Sequence, residues 1–164
     1  MVDRQSFRNA MARLGAAVNV VTTIGPSGPC GLTASAVCSV TDDPPTLLLC
    51  INRESDMNEA FRASGVLCVN TLAASQEALS PLFAGITRVA QADRFGFGDW
   101  TTMITGAPAL AGSVVSFDCR VDQSTEVGTH TVFFCQVEAI QFGDANEGLI
   151  YFGRSYHRII VEAA

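Results

Sequence analysis

Residues 31–39 are the part of the sequence whose residue types best suit contact with a flat ligand. They read Gly-Leu-Thr-Ala-Ser-Ala-Val-Cys-Ser. Small side chains let a planar molecule approach the backbone closely, and hydroxyl and backbone N–H groups can then hydrogen-bond its polar edge. A strand that packs tightly on another element has the same composition, so this segment alone leaves both interpretations open.

A second segment, residues 52–55, has the composition of a phosphate site. It reads Asn-Arg-Glu-Ser and lies directly before a helix that is predicted to begin at Asp56. The first turn of a helix offers free N–H groups and a partial positive charge, which suit a phosphate. Arg53 and Ser55 would complete such a site. The alternative interpretation is that Ser55 or Asp56 only caps the helix and that the Arg53 side chain is solvated.

Three further segments place polar or aromatic residues at the ends of predicted strands. Residues 68–72 contain Asn70 and Thr71 at the predicted end of a strand. The rim of a barrel often holds a ligand at such a place, although an ordinary turn has the same pattern. The lone His130 follows Gly128 and Thr129 and suits either contact with a ligand ring or a structural position. Residues 151–157 contain aromatics and an arginine, which suit stacking and phosphate pairing or the end of the core.

Several kinds of active site are missing from the sequence. All ten basic residues are arginines, which excludes a P-loop lysine, a Schiff-base lysine and covalently bound pyridoxal phosphate. There is no G-x-G-x-x-G, G-x-S-x-G or H-E-x-x-H pattern. The six cysteines form no C-x-x-C pair and no Cys/His cluster with zinc spacing. A cofactor-dependent reaction stays compatible with the sequence. In such a reaction the cofactor supplies the chemistry and the protein only has to position it.

Length and composition limit the domain count and the partners. The 164 residues predict one domain over residues 1–164. A net charge of −6 without a basic run argues against nucleic acid. The longest apolar run, residues 47–51, falls far short of the roughly 18 residues of a membrane span. With no signal-peptide pattern either, we expect a cytoplasmic protein. Hydrophobic residues make up 48% of the chain, so a homodimer interface or a planar cofactor is expected to cover the surplus.

The hydrophobic patterns predict a mainly β fold with a few short helices. Residues 46–51 are apolar on both faces and are therefore expected to form a central strand. Many strands with few helices suggest a closed or nearly closed antiparallel barrel. The predicted strands cover residues 18–24, 31–40, 46–51, 65–72, 115–122, 131–140 and 149–152, and the predicted helices cover residues 6–14 and 56–62 and a run after Ser75 that Pro81 should disturb.

In order and spacing, these segments resemble the short-chain flavin reductase family, the reductase components of two-component flavin-dependent monooxygenases. The similarity is greatest to members paired with pyrimidine-ring-opening and 4-hydroxyphenylacetate oxygenases. It extends over nearly the whole chain. The segments that carry it are residues 7–11, 18–23, 31–39, 45–55, 68–72, 76–83, 94–95, 115–120, 128–130 and 151–156.

This resemblance implies a split β-barrel of the FMN-binding type that binds FMN or FAD, usually as a homodimer. It also implies a set of site residues. These are Thr33, Ala34, Ser35 and Ala36 along the isoalloxazine ring; Cys50, Ile51 and Asn52 beside the flavin tail; Ser55, with Arg53 or Arg94, at the phosphate; Asn70, Thr71 and Leu72 on the other side; His130 as the catalytic neighbour of the nicotinamide; and Tyr156 near the ring. Many relatives read Gly-Asp-His where this chain has Gly128-Thr129-His130. If that aspartate orients the histidine, the role of His130 is less secure here.

The resemblance implies reduction of free FMN or FAD by NADH or NADPH, with reduced flavin leaving for a separate oxygenase. Hydride transfer needs the nicotinamide C4 at about 3–3.5 Å from flavin N5, and it needs no strong acid or base. The protein therefore stacks and orients the two rings and stabilises charge on the reduced flavin. Two alternatives stay open: a flavin-binding or sensing protein without turnover on the same barrel, and a relative that oxidises pyridoxamine phosphate.

Overall fold

The computed structural model describes residues 1–160, which are mainly β with a few short helices, as expected. The helices are α1 (Arg4–Met11), α2 (Asp56–Ser64), α3 (Leu79–Phe83) and α4 (Gln91–Arg94), with a 3₁₀ turn at Ala74–Gln76. The strands are β1 (Ala16–Ala17), β2 (Asn19–Gly25), β3 (Gly28–Ala34), β4 (Val37–Asp42), β5 (Pro45–Asn52), β6 (Val66–Thr71), β7 (Trp100–Thr102), β8 (Pro108–Leu110), β9 (Val115–Val127), β10 (His130–Phe142), β11 (Glu147–Phe152) and β12 (Ser155–Ile160).

Seven strands form the main antiparallel sheet, in the order β3-β2-β6-β9-β10-β5-β4. Strand β5 pairs on both sides, so its expected position inside the sheet is confirmed. Leu47, Leu49 and Ile51 of β5 face the core, whereas Leu48 and Cys50 face the other side and are half-buried. Smaller sheets are formed by β1, β11 and β12 and by β7 and β8. Strand β12 was not expected from the sequence.

Residues 31–40, expected as one extended stretch, divide into two strands at opposite edges of this sheet. Ala34 ends β3, where it pairs with Asn19, and Val37 opens β4, where it pairs with Leu49. Only residues 35 and 36 join the two edges. The sheet therefore curves enough to bring β3 and β4 close together, although its hydrogen bonding is not closed. The expectation of one continuous strand was wrong because the chain leaves one edge for the other at Ser35.

Strands β9 and β10 form a long hairpin whose turn is shorter than expected. The predicted connection over residues 124–130 contracts to Gly128 and Thr129, and His130 already pairs with Val127. Gly128 has a φ of 56°, in the left-handed region that glycine adopts without a Cβ penalty. The turn therefore lies at the same end of the sheet as Asn52, which pairs with His130.

The helices differ in how far they are buried. Helix α2 begins after Ser55, whose hydroxyl accepts a hydrogen bond from the Met57 N–H, and it buries Phe61 in the core. Helix α1 begins after Asp3, whose carboxylate accepts hydrogen bonds from two backbone N–H groups, and none of its side chains is buried. No helix within residues 1–160 is both long and apolar enough to cross a membrane.

Candidate functional site

A cavity of about 570 Å³ opens where the β3–β4 connection faces the end of β5 and the start of α2. The segment from α3 to α4 forms its other wall. Its lining residues are Leu32, Thr33, Ala34, Ser35, Ala36, Cys50, Ile51, Asn52, Glu54, Ser55, Asp56, Met57, Phe83, Ala84, Gly85, Gln91 and Arg94. The structure thus brings together residues 33–36 and residues 50–55, which are predicted to belong to one site.

The β3 wall is held against its neighbours by specific contacts. A Cβ at Gly31 would lie 2.7 Å from the Val21 carbonyl oxygen, so only glycine allows β3 to approach β2 this closely. The Thr33 hydroxyl donates to the Ser80 carbonyl at 2.7 Å. Ser35 and Ala36 are exposed. This wall therefore presents small residues to the cavity on a backbone that is fixed from behind.

Gln91 closes the free side of β3 and was not expected from the sequence. Its amide donates to the Gly31 carbonyl at 2.9 Å and accepts from the Gly31 N–H at 3.3 Å, as a neighbouring strand would. The same amide lies 3.1 Å from the Met57 sulfur, which also lines the cavity. Residues 85–106 carried no periodic pattern, so no sequence signal pointed to this contact.

The β5–α2 wall carries the N-terminus of α2. The Asn52 carboxamide oxygen accepts from the Glu54 N–H at 3.1 Å, and Ser55 caps α2. Asn58 anchors the turn from below by donating to the Ile51 carbonyl at 3.3 Å and to the Thr131 hydroxyl at 3.1 Å. The positive end of α2 thus lies beside the cavity.

The two arginines proposed for the phosphate occupy different places. Arg94 lines the cavity, and it is held there because it donates to the Val89 carbonyl at 3.0 Å and to the Phe83 carbonyl at 3.4 Å. Arg53 lies outside the cavity lining and pairs with Glu126 at 3.1 Å. Of the two, Arg94 is the one whose side chain lines the cavity.

His130 lies outside the cavity lining but next to it. It is exposed and pairs with Asn52 across β5 and β10. Its Nδ1 atom lies 2.9 Å from the Thr129 hydroxyl. The backbone N–H of Arg53 donates to the Thr129 carbonyl at 2.9 Å. This hydrogen bond fixes the hairpin turn to the segment that leads into α2. The Thr129 hydroxyl and the His130 ring therefore share a hydrogen bond at the hairpin turn.

Tyr156 also lies outside the lining and reaches the site through another residue. Its hydroxyl is 2.8 Å from the Ser80 hydroxyl, and the Ser80 carbonyl is the acceptor of Thr33. Tyr156 thus supports the β3 wall from behind. Its expected place beside a ligand ring stays a prediction.

Asn70, Thr71 and Leu72 do not line the cavity. The Asn70 amide is fully buried; it donates to the Val20 carbonyl at 3.0 Å and accepts from the Leu110 N–H and the Ser116 hydroxyl, both at 2.8 Å. The Thr71 hydroxyl donates to Asn19 at 2.8 Å, and Leu72 is buried in the core. In this chain their visible contacts hold strands together, and contact with a ligand stays a prediction for them.

Comparison with known proteins identifies the family. The model of the flavin reductase like domain matches residues 11–159. The FMN reductase (NADH) RutF of Ancylobacter novellus is 58% identical over 96% of this chain and 86% of its own length. The NADH:FAD oxidoreductase of Streptomyces globisporus, solved with NAD and FAD fragments, aligns with a TM-score of 0.87 at 31% identity, covering 99% of this chain and 96% of its own.

A third similarity concerns the kind of system in which such proteins work. The flavin reductase component of a bacterial two-component tryptophan halogenase, BorF, aligns with a TM-score of 0.90 at 27% identity, covering 98% of this chain and 100% of its own. The family match covers most of the chain and agrees with the resemblance in the sequence. The chain belongs to the flavin reductase family.

Proposed function

We propose that this protein reduces FMN with NADH, and that the cavity between β3 and α2 holds the flavin. The observation that carries this proposal is a cavity with small residues along one wall and with the N-terminus of α2 and Arg94 in its lining. Its 58% identical relative is named an NADH-dependent FMN reductase. FMN and FAD share the ring and the first phosphate, so the cavity suits both, and the relative's name favours FMN.

In this proposal the isoalloxazine lies along Thr33, Ala34, Ser35 and Ala36. The exposed Ser35 hydroxyl and the backbone around it offer hydrogen bonds to the polar edge of the ring. Cys50, Ile51 and Asn52 border the ribityl tail. The fixed backbone behind Thr33 supports this arrangement, because a site that is ordered before binding loses less entropy when the ligand enters.

The phosphate end is assigned to Ser55 and Arg94. The capped N-terminus of α2 favours a negative group, and the Arg94 guanidinium adds a charge-assisted hydrogen bond. Glu54 and Asp56 also line the cavity and are acidic, which makes Arg94 the group that offsets their repulsion of a phosphate. Arg53 instead secures the neighbouring hairpin turn.

When bound, the flavin supplies hydride-accepting chemistry. This chain orients the ring on one side and leaves the opposite side open to the nicotinamide, and no acid or base on the protein has to titrate for hydride transfer. We assign His130 to the rim where the nicotinamide enters, because it lies across from Asn52 at the edge of the cavity. The hydrogen bond between the Thr129 hydroxyl and Nδ1 orients the ring of His130.

Reduced flavin then leaves for a separate oxygenase. The halogenase reductase component is a protein of this kind by its name, and the rim of the cavity is exposed at Ser35 and Ala36, which suits a flavin that exchanges.

The proposal includes a split β-barrel and a homodimer, within a single domain over residues 1–164. The two-residue link between β3 and β4 supports a sheet that curls into a barrel. The apolar residues of α1 support a dimer, because Phe7 is 59% exposed and Met11 is 47% exposed. Apolar surface of this kind is normally covered by a partner, and a second copy is the partner that symmetry favours.

The function is tested by following NADH consumption with and without added FMN. The proposal predicts that FMN raises the rate strongly and that riboflavin raises it less, because riboflavin lacks the phosphate. NADPH is expected to replace NADH poorly. A protein that binds flavin but consumes no NADH would be a flavin-binding or sensing module instead.

A further inference from the structure

The outer face of strands β4 and β5 carries two cysteines in neighbouring positions. Cys38 pairs with Leu48, and Cys50 follows Leu48 by two residues. Because side chains alternate along a strand, Cys38, Leu48 and Cys50 lie on the same face. The two thiols are thus diagonal neighbours on adjacent antiparallel strands, a relation with Cα atoms about 7–8 Å apart and Cβ atoms closer.

The two thiols differ in their surroundings. Cys38 is exposed, whereas Cys50 is half-buried and lines the cavity. Burial, and to a lesser extent the nearby Cys38 thiol, raises the pKa of Cys50. Cys30, Cys68, Cys119 and Cys135 are buried. Cys38 is therefore the thiol that a dissolved oxidant reaches first, and Cys50 is the thiol next to it.

The edge position of β4 allows these thiols to approach one another. A disulfide needs Cβ atoms about 3.5–4.5 Å apart, so β4 has to shift towards β5. Strand β4 is the last strand of the sheet and pairs only with β5 among residues 1–160. Its register with β5 also shifts between Ser39 and Thr41. A bulged edge strand moves without breaking hydrogen bonds to a further neighbour.

We propose that Cys38 and Cys50 form a reversible disulfide that weakens flavin binding. The oxidant is hydrogen peroxide, which forms when free reduced flavin gives two electrons to dioxygen. Because Cys50 lines the cavity, turning its sulfur towards Cys38 changes the wall beside the ribityl tail. This inference rests on the proposed function, since it takes the cavity to be the FMN site. Reduced flavin that no oxygenase consumes would produce peroxide, and the disulfide formed by this peroxide would slow further flavin reduction.

The chemistry balances in two steps. The Cys38 thiolate attacks one oxygen of hydrogen peroxide, the O–O bond breaks, and a sulfenic acid forms. The hydroxide that leaves takes up the proton that Cys38 had released and becomes water. The Cys50 thiol then attacks the sulfenic sulfur, the S–OH bond breaks, and a second water leaves with the Cys50 proton. Two thiols and one peroxide give one disulfide and two waters, and a dithiol reductant reverses the change.

The test treats purified full-length protein with hydrogen peroxide and measures three quantities. Peptide mass spectrometry identifies the linked pair, fluorescence titration measures FMN affinity, and NADH consumption measures turnover before and after treatment. We expect a Cys38–Cys50 crosslink, a rise of about three- to tenfold in the FMN dissociation constant, and full recovery with dithiothreitol. Turnover before treatment tests the proposed function separately.

Two substitutions give matched controls. Cys38→Ser should keep the untreated activity and lose the response to peroxide, because Cys38 does not line the cavity. Cys30→Ser removes a buried thiol on another strand and should leave the response intact. Absence of the Cys38–Cys50 crosslink, or an unchanged FMN affinity in the crosslinked protein, would overturn the inference.

Discussion

Two regions in which strands end carry similar residues and lie in opposite surroundings. At the ends of β3 and β5, Ser35 and Asn52 are exposed at the cavity. At the end of β6, Asn70 is fully buried and its amide hydrogen-bonds to three neighbouring segments. Both regions combine small and amide side chains, and the sequence predicts ligand contact for both.

The difference lies in what satisfies the polar atoms. Every hydrogen-bonding direction of Asn70 is used to join β6 to β2, β8 and β9, and a buried amide needs such partners. Ser35, by contrast, forms no side-chain hydrogen bond within residues 1–160. A polar side chain at a strand end is thus available to a ligand only where the protein leaves its donors and acceptors free.

The largest effect is expected at the buried end. Asn70→Ala leaves the Leu110 N–H and the Ser116 hydroxyl without their acceptor, and should lower the free energy of unfolding by roughly 3 kcal/mol. Urea denaturation measures this loss. The matched variant Ser35→Ala should change stability by less than about 0.5 kcal/mol but raise the KM for FMN. A stable Asn70→Ala protein that fails to bind FMN would reverse the comparison.

The next effect separates the two arginines. Arg94→Gln should raise the KM for FMN by roughly tenfold or more, because a hydrogen bond to a charged group is worth about 1.5–3 kcal/mol. Arg53→Gln should change it little, since Arg53 pairs with Glu126. Steady-state kinetics with riboflavin provide the control: the loss in Arg94→Gln should disappear when the phosphate is absent. Equal losses with FMN and riboflavin would place the phosphate elsewhere.

A smaller contrast concerns the thiols of the two regions. Burial raises the pKa of Cys68 far above its ordinary value of 9.0, whereas Cys50 is only half-buried. At pH 8 an alkylating reagent should therefore label Cys50 slowly and Cys68 only after unfolding. Bound FMN should protect Cys50. Rapid labelling of Cys68 in the folded protein would show that the β6 end is more open than the structure indicates.

The smallest effect is expected at the hairpin turn. Thr129→Val removes the hydroxyl 2.9 Å from His130 Nδ1 and should raise the KM for NADH by about two- to fivefold, within the range of one neutral hydrogen bond. The KM for FMN should stay the same. Thr129→Ser keeps the hydroxyl and should behave like the unchanged protein. If Thr129→Val alters FMN and NADH equally, the hydrogen bond supports the fold and not the histidine.

The sequence predicts the cavity walls better than it predicts their surroundings. The family resemblance implies Thr33, Ser35 and Ser55 as site residues, and all three line the cavity. The small residues and the helix cap to which they belong are local signals. The division of residues 31–40 into two edge strands depends on the curvature of the whole sheet, which no local pattern encodes. Gln91 was missed for a similar reason, since its partner Gly31 lies 60 residues earlier in the chain.

For Asn70, the sequence predicts the position along the strand but not the packing around the side chain. Its position at the end of a strand was read correctly, because β6 ends at Thr71. The hydrogen-bond partners of its amide belong to β2, β8 and β9, which come from distant parts of the chain. Whether a polar residue is free or used is therefore decided by tertiary packing.

The most direct test of this account is a crystal structure of the protein with FMN bound. We predict that the isoalloxazine lies along Thr33–Ala36 and that the phosphate lies between Ser55 and Arg94, with Asn70 still hydrogen-bonded to Leu110. A flavin bound elsewhere, or a phosphate held by Arg53 in place of Arg94, would contradict it.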